Sequence, residues 1–564
     1  MALRNTSTAV ELAGAVFNED FSKSHAESLA ARSRNERITA ILARQRRLEQ
    51  ELAEVKRLLN GEALVNTLPE ELLAEVFYYI GRYSTPMAEG PDARDWSVVR
   101  LVCHHWDTVI YTTPRFWRRI RVQRSMRWLA LCLSRSHNAT VSISYNFRTY
   151  PTFPSPDCHL SEVLIPHIAR VYALQILGFD AHRARLTSNL WQSMPSLREL
   201  SLRRESIGTK VTSLCILPAT LSRLQVLSIC CPVDIQGIDQ CRELRKLTLQ
   251  HIPASSLDSL IVLLSTNRSI REVDVRDDKR SDEMPITMPA HTDDTVILPE
   301  LRILRLVTSS RTLASAILRR YRFPAATEIK ITLKARGLRL RASGAQFLHA
   351  ILLPEMLSFD MIFPMFRRTT DLVLFCDHDD ASLLATGTGY RMSIAIVDIG
   401  SAVSQVPLAD ILKMLPAAPV STVSIDASFA DYPHDLYQPL WEAFFAATPH
   451  LETLALTGCG ADECVWNGLL NTSIAARNMA NQCCPRLHTV SVDDELISPP
   501  YLLRDVVSSM IEALRYRNER GLRLARLEFQ VQDEDRDSNG AEAEKQYSQV
   551  LGGLVGGLSF FVFK

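Results

Sequence analysis

S-L-R-E-L-S-L (Ser196–Leu202), R-L-Q-V-L-S-I (Arg223–Ile229) and E-L-R-K-L-T-L (Glu243–Leu249) are one phrase written three times. Each runs apolar, two others, apolar, one other, apolar. The phrase returns as S-I-R-E-V-D-V (Ser269–Val275), E-L-R-I-L-R-L (Glu300–Leu306) and H-L-E-T-L-A-L (His450–Leu456). It ends with R-L-H-T-V-S-V (Arg486–Val492) and R-L-A-R-L-E-F (Arg523–Phe529), and weaker copies surround Leu174, Ile329, Leu372 and Val423. The last two apolar positions alternate with other residues, the period of a strand with one buried face. Between copies lie S-L-D-S-L-I-V-L-L (Ser256–Leu264), R-T-L-A-S-A-I-L-R-R-Y (Arg311–Tyr321) and L-R-D-V-V-S-S-M-I-E-A-L-R-Y (Leu503–Tyr516), which read as helices.

The first apolar residues fall at 197, 224, 244, 270 and 301, in steps of 27, 20, 26 and 31. Short strand plus helix at that period is the signature of leucine-rich repeats. The fold expected for residues 123–564 is therefore α/β: a leucine-rich-repeat solenoid with a curved parallel sheet and helices on its outer face. Leu200, Leu227, Leu247, Leu304 and Leu454 should point inward from strands. The alternative is an ordinary α/β domain with buried parallel strands. The steps widen after Ile331, so the later repeats should be irregular. Side chains between the leucines face the opposite side of the sheet. Arg203, Lys246, Asp274, Asp426 and Asp493 stand there as candidate substrate contacts. Early repeats are more basic and later ones more acidic, which reads either as a bipolar groove for a partner of mixed charge or as a solvated polar face.

Composition excludes several classes. Lys+Arg and Asp+Glu both number 63, so the basic excess of a nucleic-acid binder is missing. No basic segment followed by an apolar core opens the chain, so no secretory leader is expected. No window approaches the ~18 apolar residues of a membrane helix. The glycine-rich V-L-G-G-L-V-G-G-L-S-F-F-V-F (Val550–Phe563) reads as a terminal strand or cap. The 12 cysteines are scattered and many sit in apolar runs, which fits reduced thiols in the cytosol or nucleus.

Residues 1–31 are polar and small and read as a disordered tail. Over 32–61 the pattern changes. Ile38, Ile41, Gln45, Leu48, Leu52, Val55 and Leu59 are spaced 3-4-3-4, as in a heptad repeat, with charged residues between them. Asn60-Gly61 is a helix stop. The stretch is either a short coiled coil that makes a homodimer through Ile38–Leu59, or a single amphipathic helix that packs on its own chain or stays solvated. Gln45 at a seam position would weaken a dimer while setting its register.

Catalytic motifs are missing: no G-x-x-x-x-G-K-[ST], H-E-x-x-H or G-x-S-x-G occurs. His104-His105 beside Cys103 could tempt a metal reading, but adjacent helical side chains point about 100° apart. Asp535–Gly540 matches the first half of a calcium loop, yet its twelfth position is Gln546 rather than glutamate. No enzyme activity, metal or cofactor is expected.

One stretch remains. L-P-E-E-L-L-A-E-V-F (Leu68–Phe77), V-V-R-L-V-C-H-H-W-D-T-V-I (Val98–Ile110) and P-R-F-W-R-R-I (Pro114–Ile120) hold many apolar and aromatic residues for a short helical module. Such a module hides its excess on a partner. Thr67 can cap a helix with Glu70 three residues on, and Leu72, Leu73, Val76, Phe77 and Ile80 recur at helical spacing. Gly81–Asp95 reads as a loop.

Residues 66–122 resemble the F-box. The family's leucine-proline start, E-I-(L/F) helix, V-C-x-x-W and closing L-W appear as Leu68-Pro69, Glu75-Val76-Phe77, Val102-Cys103-His104-His105-Trp106 and Phe116-Trp117. The heptad helix, F-box and irregular repeats together look like F-box proteins of mushroom-forming fungi. The resemblance implies binding to the small adaptor subunit of the cullin-based SCF ubiquitin ligase, with the C-terminal domain holding a protein substrate. It implies that Leu68, Pro69, Leu72, Val76 and Phe77 lie against the adaptor. Val102 and Trp106 would hold the second helix, partly in the core and partly at the interface, and Trp117 would close the module. The rival reading is a repeat scaffold that never engages a ligase.

Overall fold

Leu200 lies directly between Leu174 and Leu227 on neighbouring parallel strands. The row continues through Leu247, Val273, Leu304, Ile329 and Met392, each buried and each in register with the next. A second row, two residues on, runs Ile176, Leu202, Ile229, Leu249, Val275, Leu306, Ile331, Ile394. These are the second and third apolar positions of the repeated phrase. The first apolar position of each phrase is buried just ahead of its strand, as at Leu197, Leu224, Leu244, Ile270 and Leu301.

This computed structural model describes residues 34–84, 96–122, 126–146, 162–178, 194–204, 212–215, 222–231, 233–236, 240–250, 257–276, 295–309, 311–334, 367–376, 380–397, 418–427, 438–458, 463–476, 483–494, 503–532 and 540–563. The readings of 1–31 as a tail and of 535–539 as a loop fall outside them, as do 85–95 of the expected loop; Gly540 begins a helix, and residues 81–84 continue one. Two compact units divide the chain: Met1–Arg121 with Trp128–Ala139, and Val122–Arg127 with Thr140–Lys564. The first is helical and the second holds a large, mostly parallel sheet.

The sheet departs from a plain array at one place. Strand Glu328–Lys334 pairs not with the next strand in the chain but with Tyr390–Val397. That strand pairs antiparallel with Ala381–Gly387, which pairs antiparallel with Thr369–Cys376. Parallel order then resumes from Thr369–Cys376 to Thr422–Ala427. The expectation of a purely parallel sheet is corrected here: three strands of a meander enter in reverse order. The turn Thr388-Gly389 reverses the chain, with Gly389 at φ +79°, a conformation that glycine takes without strain and that suits the second central position of a type II turn. Beyond the meander, Leu372, Val423, Leu454, Val490, Leu527 and Leu558 form one row, and the last strand, Gly557–Phe563, is the C-terminal apolar segment. Phe529 and Phe560 stack in the next row, 5.3 Å apart.

Helices fill the crossovers where the sequence places them: Leu257–Thr266, Arg311–Arg320 and Leu503–Glu519, with Gln438–Ala447, Glu463–Ala475 and Gly540–Leu554 besides. Buried polar side chains hold the connections. Asn267 accepts from Leu244 N–H (3.1 Å) and donates to the carbonyls of Cys241 (2.6 Å) and Leu263 (2.8 Å). Arg517, buried, donates to the carbonyls of Cys483 (3.0 Å) and Cys484 (3.1 Å). Those carbonyls belong to a strained turn, since Cys484 takes φ +41°. Burial lowers the Arg517 pKa, while a hydrogen bond with Cys484 lowers that of Cys483 and raises that of Cys484.

Asn267→Ala should destabilise the sheet-bearing unit by roughly 3 kcal/mol, because it strands the Leu244 amide and Cys241 carbonyl at ~1–3 kcal/mol each. Asn267→Leu, which restores volume but not the bonds, should do no better in urea unfolding of the full chain. Wild-type stability in both variants would show that these bonds carry no weight.

Candidate functional site

In the helical unit the site is carried by α1 (Arg34–Gly61), α2 (Glu70–Ser84), α3 (Trp96–Arg100) and α4 (His104–Thr112). A 3-10 turn, Leu64–Thr67, leads into α2, and another, Pro114–Trp117, comes after α4. Pro69 sits immediately ahead of α2, and its carbonyl accepts from Leu73 N–H (3.0 Å). Thr67 does not cap α2: its hydroxyl donates to the Leu64 carbonyl (2.7 Å) inside the preceding turn. Glu70 and Glu71 still favour the positive helix N-terminus electrostatically.

Apolar residues surround α2 and divide between two faces. Leu73 and Phe77, four apart, are fully buried. Phe77 meets the ring of Trp106 at 4.7 Å. Trp96 packs edge-on against Phe116 (4.7 Å), and Val109, Ile110 and Trp117 complete the core. The other face is open: Leu72 is 54 % exposed and Val76 41 %, with Leu68 at 37 % continuing the same i, i+4 stripe toward the chain start. Tyr79 and Ile80 extend it at the far end, Val65 precedes it, and Pro69 is exposed beside it. After α3, Leu101 (85 %) and Val102 are also exposed.

Of the residues named for the adaptor, Leu72, Val76, Leu68 and Val102 are exposed apolar side chains, and Pro69 is exposed with them. Phe77 and Trp117 are buried in the core of the helical unit. Phe77 shares the inner face with Leu73, and Trp117 is 1 % exposed, with its indole N–H donating to the Ile110 carbonyl (2.9 Å). Trp106 is half-buried.

Asn66 is the residue that sequence reasoning passed over. Its Oδ1 accepts from the Trp106 indole (2.6 Å) and its Nδ2 donates to the Asn60 carbonyl (2.6 Å). One amide therefore ties the end of α1 to α4. Trp96, too, was missed at the edge of the supposed loop. Arg115 pairs with Glu75 and lies 3.8 Å from the Tyr78 ring, bracing α2 against the closing turn. An open cleft of about 350 Å³ is lined by Arg57, Asn60, Asn66, Cys103, His104 and His105. Among the described residues no group of three His, Cys, Asp or Glu could hold a metal ion.

On the sheet-bearing unit the five candidate substrate contacts are not brought together. Lys246 pairs with Glu272 (2.7 Å) and Asp274 with Arg276 (2.9 Å), while Arg305 pairs with Glu328 (2.9 Å). Lys246, on the basic early strands, thus has an acidic partner on the neighbouring strand. Arg203 is exposed near one end. Asp426 and Asp493 flank Thr457 in a single row, on the strands either side of Thr453–Thr457 and many strands away from Arg203, and exposed Phe375 lies next to Asp426.

A model of the family described as F-box-like matches residues 65–123. The match covers the α2–α4 module and, of the sheet, takes in only the strand Arg119–Val122. None of the curated proteins matches the chain. No described helix is long and apolar enough to cross a membrane.

Trp106→Ala should destabilise the helical unit by about 3 kcal/mol through loss of the Phe77 contact and the cavity left behind. Trp106→Phe keeps a ring against Phe77 but strands Asn66, and should cost about 1 kcal/mol. Thermal melts followed by tryptophan fluorescence separate the two; equal losses would show that the Asn66 bond, not the ring, holds α4.

Proposed function

We propose that this chain is a non-enzymatic substrate receptor of an SCF-type cullin ubiquitin ligase. The F-box-like module grips the adaptor subunit and, through it, the cullin. The sheet-bearing unit is a leucine-rich-repeat array that presents a protein substrate. The observation that carries the reading is the open stripe Leu68–Leu72–Val76 on a module whose core is already filled. These side chains have no place left inside, and fully burying each one contributes ~1.5–3 kcal/mol. The in-register leucine rows support the repeat reading. The free cysteines support a cytosolic or nuclear setting. Self-association through the face of α1 belongs to the same proposal.

The runner-up is a repeat scaffold outside any ligase, which the in-register leucine rows would serve equally well. Binding to purified adaptor separates the two. Leu68→Ala with Pro69→Ala should weaken that binding at least tenfold, since interface anchors carry ~1.4 kcal/mol or more. It should leave both units folded, because neither side chain is in a core. Undiminished binding by the double variant would mean that another surface is used, and a wild-type chain that binds no adaptor would hand the case to the scaffold.

A further inference from the structure

Helix α1 spans 28 residues without a single buried side chain. Its seam residues Ile38, Ile41, Leu48, Leu52, Val55 and Leu59 are all exposed. Resting on the reading of α1 as a self-association helix, we propose its form: a parallel, in-register, two-stranded coiled coil with a second copy of this chain.

Charge decides the orientation. With Ile38, Gln45, Leu52 and Val55 on the seam, Arg44, Glu49, Glu51 and Lys56 flank it. In a parallel dimer a flanking residue faces the one five positions later on the partner. Arg44 then meets Glu49 and Glu51 meets Lys56, each pair occurring twice by symmetry. Gln45 meets Gln45, so each side-chain amide finds a donor and an acceptor. In the antiparallel arrangement of greatest overlap, Arg44 meets Glu51, and Glu49 and Lys56 gain no opposite charge. There Gln45 faces Leu48, which leaves an amide against hydrocarbon. The parallel form has twice the attractive pairs and no stranded amide. Gln45 also donates to Glu49 of its own helix (2.8 Å), which holds that carboxylate beside the seam.

Orientation fixes where the rest of each chain emerges. In a parallel coil both Gly61 ends emerge together, so two F-box-like modules, each tied to its helix by Asn66, stand at one end. An antiparallel coil would put them about 40 Å apart, the length of the helix.

The test uses the full chain in sedimentation equilibrium, with circular dichroism confirming that each variant is folded. The wild type should be dimeric, and Leu48→Asp with Leu52→Asp monomeric. Arg44→Glu alone should weaken the dimer at least tenfold. Arg44→Glu with Glu49→Arg should restore it, whereas Arg44→Glu with Glu51→Arg should not. Rescue by the second pair instead would establish an antiparallel coil and overturn the proposed orientation while keeping self-association. A trimer, or a dimer indifferent to every flanking charge, would also overturn it. A monomeric wild type would remove self-association altogether, and adaptor binding, measured separately, would still judge the receptor reading.

Discussion

A buried parallel strand cannot end its own hydrogen bonding; it needs a neighbour on both sides and apolar cover for its face. That requirement organises the larger unit. Each repeat supplies one short strand, and the next repeat satisfies it in register, Leu200 to Leu227 to Leu247 and onward. The first leucine of each phrase closes the connection beneath. Where a connection must turn sharply inside the unit, a polar side chain takes up the backbone groups, as Asn267 does after Leu257–Thr266 and Arg517 does at Cys483-Cys484. A buried guanidinium is costly to desolvate, and two carbonyl acceptors offset part of that cost.

The small unit solves the opposite problem. It has few residues and many aromatics, and Phe77, Trp96, Phe116 and Trp117 are enough to fill its interior. The remaining apolar side chains of α2 are left outside. Core and open stripe lie on one helix, so the residues that fold the module also set the angle at which the stripe is presented. Arg115, bridging Glu75 and the Tyr78 ring, braces that angle.

The repeat strands were legible because L-x-x-L-x-L samples the period of a strand with one buried face, and even the weak copies at Leu174, Ile329, Leu372 and Val423 are buried strand positions. The reversed meander was not legible. Alternation tells which face a strand buries but nothing of which strand it will lie beside, and only the turn at Thr388-Gly389 hinted at a reversal. In the helical unit, the helix and its apolar character were readable. Which apolar residues turn inward was not, because α2 is apolar on more than one face and period alone cannot choose. Phe77 went to the core because Trp106 was there to receive it. Asn66 carried no signal at all: its role depends on an indole forty residues away in the sequence.

The meander also changes how the sheet can come apart. In a linear array of repeats, each strand leans on its sequence neighbours, and disorder can creep inward one repeat at a time from either end. Strand Glu328–Lys334 instead leans on Tyr390–Val397, and Thr422–Ala427 on Thr369–Cys376. Among the described residues, the two halves of the ladder are joined through these three strands, which must be present together. Fraying that reaches this point cannot remove one strand and stop; it has to dissolve the whole meander or halt at its edge. The joint therefore acts as a firebreak, letting one half of the array open while the other keeps its shape.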